Sequence, residues 1–131
     1  MIALDSNILL RLVTHDDSRQ LAAVVRYMEA RPDETFWVSD VVMVEVVWAL
    51  LRLYRWPRAN VLSALRFIAD KPDLEFEDHN RLLAAIRAFA DGDDFADELI
   101  VARAREAGCP ALATFDVAVQ KRHPGFAVKP E

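Results

Sequence analysis

The chain has 131 residues, 53% of them apolar and 28% charged, with a formal net charge of −5. That is the size and make-up of one globular domain, residues 1–131, with a real core, and it excludes a disordered or fibrous chain. The single cysteine, Cys109, leaves no internal disulfide and points to a reducing compartment, while the acidic balance argues against a protein that coats nucleic acid by bulk charge.

The opening residues Met1-Ile2-Ala3-Leu4-Asp5 lack a basic region ahead of the apolar run, so no signal peptide is expected. They read instead as a short buried strand ending in Asp5. Ser6-Asn7 is suited to cap a helix through Leu9, Leu10, Leu12 and Val13. Asp16-Asp17-Ser18 opens a second helix, in which Leu21, Val24, Val25 and Met28 share one face. Arg31-Pro32-Asp33 closes it. Thr35 to Val38, aromatic and β-branched, reads as a second strand.

Ser39-Asp40 can cap a segment from Val41 to Arg55. Its five valines favour a strand locally, but its length and its Leu50-Leu51-Arg52-Leu53 continuation favour a helix. Phe36 to Leu51 is the most apolar region, yet it holds Asp40 and Glu45 and is too short to span a membrane; a cytoplasmic protein is expected. Trp56-Pro57 breaks the helix, and Pro57 sits at the first turn of the next, which carries Val61, Ala64, Leu65 and Ile68. Leu74 to Glu77 reads as a third strand. Asp78 caps a helix with Leu82, Ala85, Ile86 and Phe89, closed by Gly92. A further helix runs from Asp94 to Ala107, closed by Gly108. Pro110 to Thr114 is a fourth strand, followed by Asp116, a short helix, and a last strand near Phe126 to Val128. This alternation predicts an α/β fold with a mostly parallel sheet of four to five strands, covered on both faces. Ligands in such sheets bind beyond the carboxyl ends of the strands, where Asp5 and Asp116 fall.

Four acids stand out. Asp5 ends an apolar strand, and Glu45 is the only charge between Val41 and Leu51, where burial without a partner is costly. Asp97 lies on a helix whose other face is apolar, and Asp116 follows Leu112-Ala113-Thr114-Phe115. Each has an ordinary structural role available. Asp5 and Asp116 can cap helices, Glu45 can pair with Arg52 or another arginine, and Asp97 can be a solvated helix residue. Taken together they point to chemistry. Carboxylates sharing a cleft repel one another unless protons or cations intervene. A hard divalent ion with oxygen ligands resolves that repulsion, and it can activate water and clamp a phosphodiester. His15, His79 and His123 are scattered, without ligand spacing, and read as surface or packing residues. Setting the four acids aside leaves the rest of the chain nearly neutral, so nucleic-acid contact would depend on where the arginines sit.

Leu4-Asp5-Ser6-Asn7-Ile8-Leu9-Leu10, Glu45 in its apolar helix, Asp94-Phe95-Ala96-Asp97-Glu98-Leu99-Ile100-Val101-Ala102 and Thr114-Phe115-Asp116 together resemble the PIN domain. More narrowly, they are similar to the toxin ribonucleases of VapC type, over essentially the whole length. The resemblance implies a three-layer α/β/α sandwich and RNA cleavage with one or two Mg²⁺ or Mn²⁺ ions. It further implies a homodimer, and inhibition by a cognate antitoxin whose tail enters a groove near the site. Asp5, Glu45, Asp97 and Asp116 are then the acidic quartet. Ser6 and Thr114 supply supporting hydroxyls, Asn7 braces the end of the first strand by hydrogen bonds, and Asp94 is a further ligand or a supporting group. Asp93 and Glu98 read as solvated.

Arg11, Lys121 and Arg122 are close to these acids in sequence and are candidates for phosphate contact. Trp48, Tyr54 and Trp56, interleaved with Arg52, Arg55 and Arg58, have the composition of a protein-binding surface, and the expected occupant is the antitoxin. Two other enzyme and signalling classes fit less well. An aspartyl-nucleophile phosphatase wants an acid two residues after Asp5, where this chain has Asn7. A receiver module wants paired acids ahead of the strand-end aspartate and a lysine placed better than Lys121. A PIN-like protein without catalysis would lack part of the quartet, and all four acids are present.

Overall fold

A computed structural model describes all residues, 1–131. Its elements follow one another as β1 (Ile2–Ala3), α1 (Ser6–Thr14), α2 (Ser18–Glu29), β2 (Phe36–Val38), α3 (Asp40–Arg52), α4 (Arg58–Ala69), β3 (Leu74–Phe76), α5 (His79–Ala90), α6 (Phe95–Glu106), β4 (Leu112–Ala113), α7 (Val117–Arg122) and β5 (Ala127–Val128). Every strand pairing is parallel, as helical crossovers require. Three successive helix pairs carry the chain from β1 to β4, and this is the α/β architecture that the alternation predicts.

The sheet differs from expectation in one respect. The strands form two sheets, β1-β2-β3 and β4-β5, instead of one. In the first, Ile2 stands beside Phe36 and Phe36 beside Leu74; in the second, Leu112 stands beside Ala127. The core follows the same division. A cluster of 25 buried residues joins α1 to α6 and the first sheet, whereas Val101, Val119, Phe126 and Ala127 form a separate cluster of 4 around the second. A strand of two residues offers the ladder too few bonds to hold a sheet together without shared side-chain packing. Here that packing does not cross from one sheet to the other.

Helix starts follow capping chemistry. Ser39 caps α3, Asp78 caps α5 and Asp17 caps α2, each through its side chain. At α1 the cap is Asp5, not Ser6-Asn7: its Oδ1 accepts from the backbone N–H of Asn7 at 3.1 Å and of Ile8 at 3.3 Å. The five valines around α3 yield to tertiary context, because Met43, Val46, Val47 and Leu50 all bury in the main core. Gly92 has φ 102°, the left-handed region that favours glycine, and it turns the chain from α5 into Asp93 and Asp94.

Candidate active site

Three of the acids are placed by the helix caps themselves. Asp94 caps α6, and its Oδ1 accepts from Asp97 N–H at 2.9 Å. Asp116 caps α7, and its Oδ1 accepts from Ala118 N–H at 2.9 Å and Val119 N–H at 3.2 Å. Asp5 does the same for α1. In each case one carboxylate oxygen is spent on the cap while Oδ2 accepts no hydrogen bond within the protein. A cap therefore does not compete with ligation: it orients the carboxylate and leaves the second oxygen available. Thr114 supports this arrangement as expected, its Oγ1 accepting from Asp116 N–H at 3.0 Å.

Asp94, Asp97 and Asp116 line one pocket of about 320 Å³, together with Asp93, Glu98, Arg58 and Arg122. Asp97 is half-buried there. Burial, and then the negative charges of Asp94, Asp116 and Glu98, push its carboxyl pKa above the ordinary carboxylate value.

Asp5 and Glu45 form a second group. Ser6 Oγ donates to Glu45 Oε2 at 2.9 Å, linking α1 to α3 beside the Asp5 cap. Glu45 is exposed, so the expected burial cost does not arise, and it pairs with a hydroxyl instead of an arginine. Neither residue lines the pocket of Asp97. Asp97 and Asp116 thus share a pocket with Asp94, while Asp5 and Glu45 are outside its lining. Asn7 departs from expectation too: only its backbone N–H is engaged, and its exposed side chain makes no hydrogen bond.

The expected phosphate contacts are mostly committed elsewhere. Arg11 donates to Gln20 at 2.6 Å, Asp16 at 2.8 Å and the Tyr54 hydroxyl at 3.2 Å. Arg122 pairs with Asp93 at 2.6 Å and Glu98 at 3.0 Å, so its charge is neutralised inside the pocket. Lys121 is exposed. Glu98 and Asp93, read from sequence as solvated, are the anchors of Arg122, and Glu98 also meets His123 at 3.1 Å. Arg58, read from sequence as part of a protein-binding surface, lines the acidic pocket instead. Its guanidinium donates to the carbonyls of Phe89 at 2.8 Å and Asp93 at 3.0 Å and lies 3.9 Å from the Phe89 ring centroid. Its place after Pro57, at a helix start, gives no hint of that reach.

The aromatic group also separates. Trp56 lines a groove of about 500 Å³ between α1 and α4 with Phe67, Trp48 lies beside Arg52 and Arg58, and the Tyr54 hydroxyl donates to Asp16 at 2.9 Å.

No three His, Cys, Asp or Glu side chains stand close enough, as placed, to form a ready metal cage. The donor set nonetheless fits a hard divalent ion. It consists of carboxylate oxygens only: Asp94 and Asp116, each with a free Oδ2, and Asp97, whose pKa is raised by burial and by its acidic neighbours. Mg²⁺ itself needs few protein ligands because it keeps several waters.

No helix is long and apolar enough to cross a membrane. Comparisons with curated proteins and with solved structures gave no match. The PIN domain family matches residues 2–124, nearly the whole chain, and its members are generally metal-dependent nucleases. With acids at the ends of parallel strands and a carboxylate-lined pocket between α6 and α7, this chain belongs to the PIN domain family.

Proposed function

We infer that this chain is a Mg²⁺- or Mn²⁺-dependent endoribonuclease and the toxin of a type II toxin–antitoxin pair. The observation that supports the chemistry best is Asp97: a half-buried carboxylate crowded by Asp94, Asp116 and Glu98. Asp97, Asp116 and Asp94 would hold the ion, with Asp5 at the start of α1 and Glu45 on α3 completing the acidic quartet. A divalent ion bound there supplies Lewis-acid activation and offsets the phosphodiester's charge. The protein's own part is positioning. The caps at Asp94 and Asp116 fix carboxylate direction, Thr114 holds Asp116, Ser6 orients Glu45, and Arg122 keeps Glu98 and Asp93 out of the ligand set. Without a cation, so acidic a pocket would repel RNA phosphates, and activity should depend on added metal.

The test is to incubate purified protein with single-stranded RNA and Mn²⁺, then add EDTA. Cleavage that stops with EDTA and is lost in Asp97→Asn supports the reading; EDTA-resistant cleavage at the parent rate removes it. The toxin role rests on the similarity to VapC-type sequences and carries its own test. Co-expression with the neighbouring short reading frame should give a stable complex that suppresses cleavage. The α1–α4 groove, with Leu12, Val13, Trp56 and the exposed Phe67, suits an apolar antitoxin helix. Trp56→Ala with Phe67→Ala should then release the antitoxin while cleavage persists. A homodimer completes this reading, and sedimentation of the purified chain decides it.

A second reading has an observation behind it. Asp5 and Glu45 are not among the residues that line the Asp97 pocket, which suits a PIN-like metal-binding protein without nuclease activity. Mn²⁺ binding by a protein that leaves RNA intact would establish it.

A further inference from the structure

We propose that the trough beside the acidic pocket, lined by Trp48, Arg52 and Arg58, is the path of a single-stranded RNA, with a base stacked on Trp48 and a phosphate at Arg58. This rests on the ribonuclease reading and extends it to the substrate's own contacts.

The trough, about 130 Å³, runs between α3 and the start of α6, and it shares two wall residues, Arg58 and Asp94, with the pocket of Asp97. Trp48 is 55% exposed, on the same solvent-facing side of α3 as Glu45 and Arg52 and opposite the buried Met43, Val46, Val47 and Leu50. An exposed indole in an apolar trough offers a π-face to any base, and such stacking is tolerant of sequence. The volume admits one planar ring system but is well below the several hundred Å³ of a pocket that engulfs a larger ligand. That favours a base over a helix face as occupant.

Charge separates Arg58 from the pocket's other cation. Arg122 is neutralised by Asp93 and Glu98. Arg58 is held by two neutral carbonyls and the Phe89 ring, so it is pre-positioned without losing its charge. Arg52 at the same trough is exposed and makes no ion pair. Two guanidinium groups that make no ion pair, beside an open indole and next to a carboxylate pocket, match the alternation of phosphate, base and scissile phosphate along one strand.

The experiment measures anisotropy of a fluorescein-labelled single-stranded RNA, with Ca²⁺ replacing Mn²⁺ to hold off cleavage, over a salt series. Trp48→Ala should weaken binding roughly tenfold with the salt slope unchanged, and Trp48→Phe should restore most of it. Arg58→Gln should lower the slope by about 0.7, the value for one phosphate contact on a single strand. Because Arg58 also holds the Asp93 carbonyl, Arg52→Gln serves as a second charge variant on a side chain with no structural partner, with the same expected change. If the parent binds RNA and the three losses are absent, the trough is off the RNA path while the ribonuclease reading stands. If Trp48→Ala leaves RNA binding intact and changes the oligomeric state, the trough is a protein contact and the proposal fails. If the parent neither binds nor cleaves RNA, both readings fall.

Discussion

Asp97 is where residue-level physics speaks most directly. Its carboxyl pKa is raised by burial and by the charges of Asp94, Asp116 and Glu98. A carboxyl whose folded-state pKa is raised favours the fold while protonated, and that benefit is lost as pH rises through the folded value. At neutral pH the ionised Asp97 therefore opposes folding. Asp97→Asn should raise Tm of the metal-free protein at pH 7, and the gain should shrink to nothing as pH falls below the ordinary carboxylate value of 3.8. Thermal melts of the two proteins between pH 3 and pH 7 give the answer; a variant with lower Tm at pH 7 would mean that Asp97 has a stabilising partner. The same substitution should reduce RNA cleavage by at least about a hundredfold if the carboxylate helps to stabilise charge in the transition state.

At the scale of elements, α6 is tied to the main body by an ion network distinct from the candidate site. Asp40, at the start of α3, is the one buried charged residue of the chain. It meets Arg81 of α5 at 2.7 Å and Arg103 of α6 at 3.0 Å, while Glu106 meets Arg81 at 2.5 Å and Glu77 contacts both arginines. Side chains from α3, α6 and the loop after β3 converge on Arg81 of α5, whose side chain is only 7% exposed. Removing one partner leaves Asp40 without its closest cation, so Arg81→Met should cost about 3 kcal/mol or more by urea unfolding. Burial pushes the Glu77 carboxyl pKa up, but the Arg103 hydrogen bond, the Asp40 N–H and the two arginine charges outweigh it, and the net shift is below the ordinary 4.5. A depressed folded-state pKa contributes stability above the unfolded value that is lost as pH falls through the folded one. Glu77→Gln should therefore be less stable than the parent at pH 7, with the difference closing below pH 4.5. A gap that stays constant into acid would exclude Glu77 from the network.

Across the whole molecule, the division into two sheets predicts uneven stability. The β4-β5 unit rests on a cluster of 4 buried residues against 25 for the main core. Local opening should be easier where less apolar area is buried. The amides of Leu112 and Thr114, which donate to Phe126 and Val128, should exchange faster than those of Leu4 and Phe36 in the first sheet. A divalent ion held by Asp97 on α6 and Asp116 after β4 would bind only the folded arrangement. At ten times its Kd it should stabilise the protein by about 1.4 kcal/mol and slow exchange at β4. Exchange at β4 as slow as at β2 in the metal-free protein would show that the two sheets open as one unit.

The order of elements, their helix or strand character and the caps at Ser39, Asp78 and Asp17 were legible from local patterning, because hydrophobic period and side-chain capping act within a few residues. The positions of Asp94, Asp116, Ser6 and Thr114 beside element boundaries were legible too, since short motifs mark those boundaries. Tertiary structure decided the rest. The exposure of Glu45, the neutralising of Arg122 by Glu98, the burial of Asp40 against Arg81 and the pinning of Arg58 by the Phe89 and Asp93 carbonyls join residues at least 24 positions apart. Charge pairing depends on distances in space, and no periodicity along the chain records which cation reaches which carboxylate. The same holds for the two sheets. Each strand is marked by its own residues, but whether two strands share a ladder depends on the packing of the helices between them.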